Sequence, residues 1–231
     1  VTIGGVLGMA SHLEGKGVGI IDMAGLAQKG GAVYSHIRIA NSPRDIHAIR
    51  MAAGGADLVL GGDIVVAGNK KVLAAVKHGS TRMMINTAEF LPGDFTRNAD
   101  FSLPTERLKR AIVAAAGADN VSFVDASRLA TALLGNSIAA NIFLVGYAFQ
   151  KGGLPLAAAS IEQAIEMNGE AVAMNQAAFR WGRRAALDIA AVEAMIPTQA
   201  SQDDNRRLSE NLDEMIARRV EFLTQYRDAA Y

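Results

Sequence analysis

Asp57 to Gly62 reads Asp-Leu-Val-Leu-Gly-Gly, Arg82 to Asn86 reads Arg-Met-Met-Ile-Asn, and Val121 to Asp125 reads Val-Ser-Phe-Val-Asp. These short apolar runs, bounded by glycine or carboxylates, have the look of strands in a sheet that is covered on both faces. Helical patterns separate them. One spans Asp63 to Lys77, a second starts at Pro104-Thr105 and runs to Ala116, and a third covers Ser127 to Leu134. Strands alternating with helices predict an α/β fold, a three-layer α/β/α arrangement with a mostly parallel sheet. The stretch from Ala88 to Leu103 holds Pro92-Gly93 and is expected to be irregular.

Toward the N-terminus, Ile3, Val6, Leu7, Met9, Ala10 and Leu13 fall at helical spacing, and Gly15 and Gly17 stop the pattern. Val18 to Asp22 (VGIID) reads as a buried parallel strand. Ala32 to Ala40 alternates apolar Val33, Ile37 and Ile39 with polar positions, as a half-exposed strand does. In a nucleotide-type α/β unit the opening helix would follow a strand and a glycine-rich turn. The expectation is therefore an N-terminally truncated domain.

Beyond Asn136 helices dominate. Apolar spacing predicts them over Ile138 to Gln150, Ala158 to Met167 and Ala171 to Ala194, giving the fold a helical C-terminal part. Asn141 and Asn175 lie inside these apolar helices, where a buried amide needs a partner. Residues 1–195 form the predicted domain, and 196–205, with Pro197 and Ser201, a linker. Residues 206–231 form an amphipathic helical extension with Leu208, Leu212, Met215, Ile216, Val220 and Leu223 on one side. That helix either packs back on its own domain or connects to a following one.

Composition excludes several function classes. The 231 residues are 50% hydrophobic, enough for a sizeable core. Lys+Arg and Asp+Glu are equal at 23 each, so no positive field holds nucleic acid or an anionic membrane. The most apolar window, Ile138 to Phe149, is far shorter than the ~20 residues that cross a bilayer. With no export signal the expected location is cytoplasmic. The absence of cysteine rules out disulfides, zinc thiolates and iron–sulfur ligation by this chain. His12, His36, His47 and His78 are scattered, without the spacing of a metal site.

Residues that do chemistry are sparse. Gly-x-Ser-x-Gly, Gly-x-x-x-x-Gly-Lys-Ser/Thr and His-Glu-x-x-His are all missing, so no catalytic residue is assigned. Gly4, Gly5 and Gly8 fit close helix–sheet packing better than a phosphate cradle. The most unusual segment is Ala27-Gln28-Lys29-Gly30-Gly31 followed by Tyr34-Ser35-His36-Ile37-Arg38. Gln28 and Lys29 offer donors, and paired glycines admit a second backbone. On the residues alone the plainer reading is that Gly30 and Gly31 turn the chain while Ser35, His36 and Arg38 cover a solvated strand face.

Gly25-Leu-Ala-Gln-Lys-Gly-Gly-Ala-Val-Tyr-Ser-His-Ile-Arg38 resembles the characteristic segment of the gamma subunit or domain of 2-oxoacid:ferredoxin oxidoreductases. Ala56 to Asp63, Leu134 to Asn141, and Asn175 with Ala178, Phe179 and Gly182 look like the same family. Pro92 to Arg97, Ala217 to Thr224 and Asp228 to Tyr231 are more similar to the fused bacterial indolepyruvate ferredoxin oxidoreductases. The resemblance implies an overall reaction in which a 2-oxoacid is decarboxylated on thiamine diphosphate with Mg, electrons pass through iron–sulfur clusters to ferredoxin, and coenzyme A takes the acyl group. It implies that thiamine-binding and iron–sulfur domains are the partners and hold those cofactors, and that this chain by itself binds none. Gln28, Lys29, Gly30, Gly31, Ser35 and His36 would then form a loop facing a partner or the coenzyme A path. Two alternatives stay open: a purely structural assembly module, and an NAD(P)-binding dehydrogenase domain with Asp22 as ribose acceptor.

Overall fold

The computed structural model of the chain describes residues 2–24, 33–88, 103–196, 209 and 211–226. The chain forms two compact units, Val1–Ile196 and Pro197–Tyr231. The larger unit is built on a parallel sheet of β3 (Leu58–Gly61), β4 (Arg82–Asn86) and β5 (Val121–Val124), in the order β3-β4-β5. Leu58 pairs with Arg82 and Met83 with Val121, so β4 is the central strand.

The alternation of β4 divides the unit into layers. Met83 and Ile85 point to one face and pack with Ile64, Ala67, Ile112 and Ala116, from α2 (Ile64–Ala67) and α4 (Thr105–Ala116). Met84 points the other way, into a larger core with α5 (Ala126–Leu134), α6 (Ala140–Gln150), α7 (Ala158–Asn168) and α8 (Val172–Leu187). Met83 and Ile85 are completely buried, which explains why the strand carries no polar residue between Arg82 and Asn86. The three-layer reading is borne out.

Helix α6 is buried from Ile142 to Ala148 and crosses α8 at glycines. A Cβ on Gly146 would lie 2.0 Å from the Phe179 carbonyl oxygen, and one on Gly182 would lie 1.9 Å from that of Phe143. Only hydrogen fits at either position, and the backbones touch directly. Asn175 lies at the start of α8, where its amide donates to the Glu170 carbonyl at 2.8 Å.

The N-terminal helix α1 (Thr2–Leu13) packs on α7 and on a separate two-stranded ribbon. Glu14, just past α1, accepts hydrogen bonds from Lys16 Nζ at 2.8 Å and from the Ala157 backbone N–H at 2.6 Å, which joins this corner to the start of α7. The ribbon pairs β1 (Gly17–Ala24) with β2 (Val33–Ala40) antiparallel, Gly17 opposite Ala40. The expectation that Val18 to Asp22 forms a parallel strand is thus corrected. Its cause is visible at Gly17 and Gly19, where a Cβ would lie 2.5 Å from the backbone of Ser42 and Pro43 and 2.9 Å from Ile49 Cγ1. The segment after β2 folds across those glycines, so this separate ribbon has the apolar run of a buried strand. A Cβ on Gly4 or Gly8 would lie 3.5 or 2.9 Å from Ile20 of β1, in agreement with a packing role, whereas one on Gly5 would meet nothing within 4 Å, so the packing reading does not extend to it.

Three helix expectations change in detail. Asp63 to Lys77 holds two single-turn helices, α2 and α3 (Lys70–Leu73), because Gly68 closes the first and Asn69 caps the second through Lys71 N. Ala171 to Ala194 divides at Asp188, whose carboxylate accepts from Ala191 N and starts α9 (Ile189–Glu193). Asn141 is exposed, at the solvent side of an otherwise buried helix. The smaller unit contains α10 (Leu212–Tyr226), with Leu212, Met215, Ile216 and Val220 exposed. No helix among the described residues is long and apolar enough to cross a membrane.

Candidate functional site

Gln28, Lys29, Gly30 and Gly31 lie outside the described residues, as do Pro92 to Arg97 and Asp228 to Tyr231. Ser35 and His36 are described, and they occupy β2 near the end of the ribbon that leads to that loop. Adjacent strand residues point to opposite faces, so these two serve different surroundings. Ser35 Oγ donates to the Asp22 carboxylate across the ribbon at 2.5 Å. His36 faces the other way, and its Nδ1 accepts the Met51 backbone N–H at 2.8 Å. Burial, followed by the charge of Arg50, holds the His36 pKa below its usual value. Arg38, two residues on, donates to Met51 Sδ at 3.6 Å. His36 and Arg38 thereby fasten the 46–51 segment to the ribbon.

A second cluster gathers at the carboxyl ends of the parallel strands, the edge where α/β sheets place ligands. Asn86, the last residue of β4, is 3% exposed and uses both ends of its amide. Its Nδ2 donates to the Gly62 carbonyl at 3.1 Å and to Ser127 Oγ at 2.9 Å. Its Oδ1 accepts from the N–H groups of Ala126 at 3.0 Å and Ala88 at 3.3 Å. One side chain therefore ties together the exits of β3, β4 and β5. An amide is needed because a carboxylate lacks the donors and an apolar group would leave buried backbone unpaired, at about 1–3 kcal/mol for each group.

Asn141 meets this edge from α6. A Cβ on Gly62 would lie 3.2 Å from its Oδ1. Two segments far apart in sequence, Ala56 to Asp63 and Leu134 to Asn141, thus converge where Gly62 meets Asn141, and Ile138 of the second segment is 72% exposed. Sequence reasoning missed Asn86 and the Gly62–Asn141 approach. The one available signal was a polar residue closing an apolar strand.

The carboxylates at this edge hold the shape of the backbone. Asp63 caps α2 through Val65 N at 2.7 Å, and Asp125 caps α5 through Arg128 N at 2.9 Å, so both carboxylates are engaged by helix N-termini. Among the described residues no three His, Asp or Glu side chains are grouped to hold a metal. Asp22 lies in an antiparallel ribbon, apart from the carboxyl ends of the parallel strands, which removes the geometry that a ribose acceptor requires.

Comparison with known proteins agrees on one family. The sequence profile of the pyruvate ferredoxin/flavodoxin oxidoreductase family matches residues 1–185. The indolepyruvate oxidoreductase subunit IorB of Pyrococcus horikoshii is 26% identical over 191 residues, covering 82% of this chain and 91% of the relative. The IorB subunit of Thermococcus kodakarensis is 25% identical over 192 residues, again covering 82% and 91%. Among solved structures, the pyruvate oxidoreductase subunit PORC of Thermotoga maritima aligns with a TM-score of 0.55 at 19% identity, over 78% of this chain and 86% of that one. The gamma subunit of a keto/oxoacid ferredoxin oxidoreductase from Geobacter sulfurreducens gives 0.53 at 17% identity, over 80% and 90%. The 2-oxoglutarate:ferredoxin oxidoreductase of Magnetococcus marinus gives 0.52 at 15% identity, over 81% of this chain and 28% of that longer one. At these identities the structural likeness speaks for the fold.

Proposed function

Since this chain belongs to the pyruvate ferredoxin/flavodoxin oxidoreductase family, we propose that it is the gamma-type component of a 2-oxoacid:ferredoxin oxidoreductase with indolepyruvate or another aryl pyruvate as substrate. The match over residues 1–185 carries the reading, and the IorB relatives favour the aryl substrate. In such an enzyme the 2-oxoacid loses carbon dioxide on thiamine diphosphate, the electrons leave through iron–sulfur clusters to ferredoxin, and coenzyme A takes the acyl group. With no cysteine, this chain has no thiolate to ligate a cluster, so the clusters fall to partner domains. Asp63 and Asp125 at the sheet edge are taken up as helix caps, which supports a role without bond-making by this chain.

In this reading the Gln28 to Gly31 loop, with Ser35 and His36 behind it, faces the thiamine-binding partner or the coenzyme A path. What supports it is the family segment Gly25 to Arg38 and the anchorage of its second half through Asp22 and Met51. The test is turnover of indolepyruvate with coenzyme A and ferredoxin. The assembled enzyme is expected to require this chain, the isolated chain to show no activity, and Gln28→Ala with Lys29→Ala to alter the coenzyme A dependence. Activity of the isolated chain, or full activity of an assembly without it, overturns the assignment. Unchanged kinetics of the double variant removes the loop's role alone.

A further inference from the structure

Helix α8 turns Ala178, Phe179, Gly182, Ala185 and Ala186 into the core. Its outer face carries an open hollow of about 250 Å³, lined among the described residues by Ala177, Arg180, Trp181 and Arg184. Those four stand at positions i, i+3, i+4 and i+7 of one helix. This is the set of residues that forms the hole for a single side chain of a facing helix. Ala177 is the small floor, Trp181 one wall, and the two arginines the remaining rim. Leu187, 74% exposed, prolongs the same seam by one turn.

The charges on the rim are not equivalent. Arg180 is held by Glu162, with Nη2 to Oε2 at 2.7 Å and Nε to Oε1 at 3.1 Å. The Arg184 guanidinium lies over the Trp181 ring at 5.6 Å from its centroid, and among the described residues no carboxylate pairs with it. Tryptophan and arginine are the residue types that dominate interface energies, and here the half-buried Trp181 stands beside the exposed Arg180 and Arg184 on the outer face of the helix. A small ligand is a poorer fit, because pockets for small ligands are enclosed and take their walls from several elements.

We propose that the Ala177–Arg180–Trp181–Arg184 face docks an acidic amphipathic helix of a partner subunit, which inserts one apolar side chain over Ala177 and brings a carboxylate to Arg184. The proposal rests on the family reading, which supplies the partner. Since the chain has no cysteine, Ala177→Cys introduces a single thiol, whose reaction with a maleimide can be followed by mass spectrometry of its peptide. In the assembled enzyme the thiol is expected to react at least roughly tenfold more slowly than in the isolated full chain, as burial at the centre of an interface requires. Arg184→Glu is expected to weaken assembly by roughly tenfold or more, while Lys71→Glu on α3 leaves it unchanged. Thermal melting of both charge variants shows that they fold.

Copurification with the other subunits but undiminished labelling overturns the docking face alone. Failure to copurify with any subunit overturns the family role, and this proposal with it. Protection in the isolated chain together with a doubled mass in light scattering would assign the face to a second copy and overturn the partner helix. So would protection by ADP, with a change in emission from Trp181, which would make the hollow a nucleotide site.

Discussion

His36 and Asn86 are both held by backbone groups, but only the histidine can change charge. Its Nδ1 accepts the Met51 N–H at 2.8 Å, which requires that nitrogen to be unprotonated. Burial and then Arg50 depress its pKa below the ordinary 6.5, so the unfolded chain binds more protons than the folded one near that pH. The stabilisation is fully present above about 6.5 and is lost as pH falls below it toward the depressed folded value. The paired carboxylates of Glu14 and Glu162 are depressed from 4.5 and lose their contribution in a separate, more acid window. The unfolding midpoint is therefore expected to decline between about pH 7 and pH 5. His36→Gln, which keeps an acceptor but does not titrate, should flatten that decline. Equal slopes for the two proteins would remove His36 as its source. Asn86 has no such sensitivity, and its role in joining three strand exits is the same at every pH in that range.

The α6–α8 crossing sets two helix-scale effects against each other. Replacing glycine by alanine in a helix gains up to about 1 kcal/mol of propensity. At Gly182 the added methyl would be 1.9 Å from the Phe143 carbonyl oxygen, which belongs to a backbone that cannot turn aside. Overpacking of this kind costs about 1–3 kcal/mol or more, so the loss wins. Gly182→Ala is expected to lower the melting temperature by roughly 5 °C, while Gly5→Ala in α1, with nothing within 4 Å of the new methyl, should leave it unchanged or raise it. Calorimetry on the two variants decides, and equal midpoints would show that the crossing relaxes. Elements whose pattern has one cause were legible in the sequence: β3, β4 and β5 are apolar because both faces are covered, and α1 shows its buried stripe. The direction of β1 was hidden because Gly17 and Gly19 accept a chain crossing that no local pattern announces. The breaks at Gly68 and Asp188 were missed because the apolar spacing continues through them. The meeting of Gly62 with Asn141 joins segments on different layers, so it became visible only with the fold.

Across the whole molecule, positive and negative charges cancel, 23 against 23. Steered association needs a net or strongly one-sided field, which raises encounter rates by about 10-fold or more at low salt and is largely screened beyond a Debye length. Several cations here are already spoken for: Arg180 by Glu162, Arg128 by Glu193, and Lys16 by Glu14. Arg184 by itself is a local charge, able to fix register once the surfaces meet but too weak to draw a partner from a distance. Association with partner subunits is thus expected to be governed by fit at short range. Raising the salt from about 0.05 to 0.5 M should slow the association rate by less than about threefold, and should act mainly on dissociation. Stopped-flow or surface-based kinetics on the full chain and its partners reads both rates. A fall of a hundredfold in the association rate would mean that a charged face steers assembly, and Arg184→Glu would then have to change association more than dissociation.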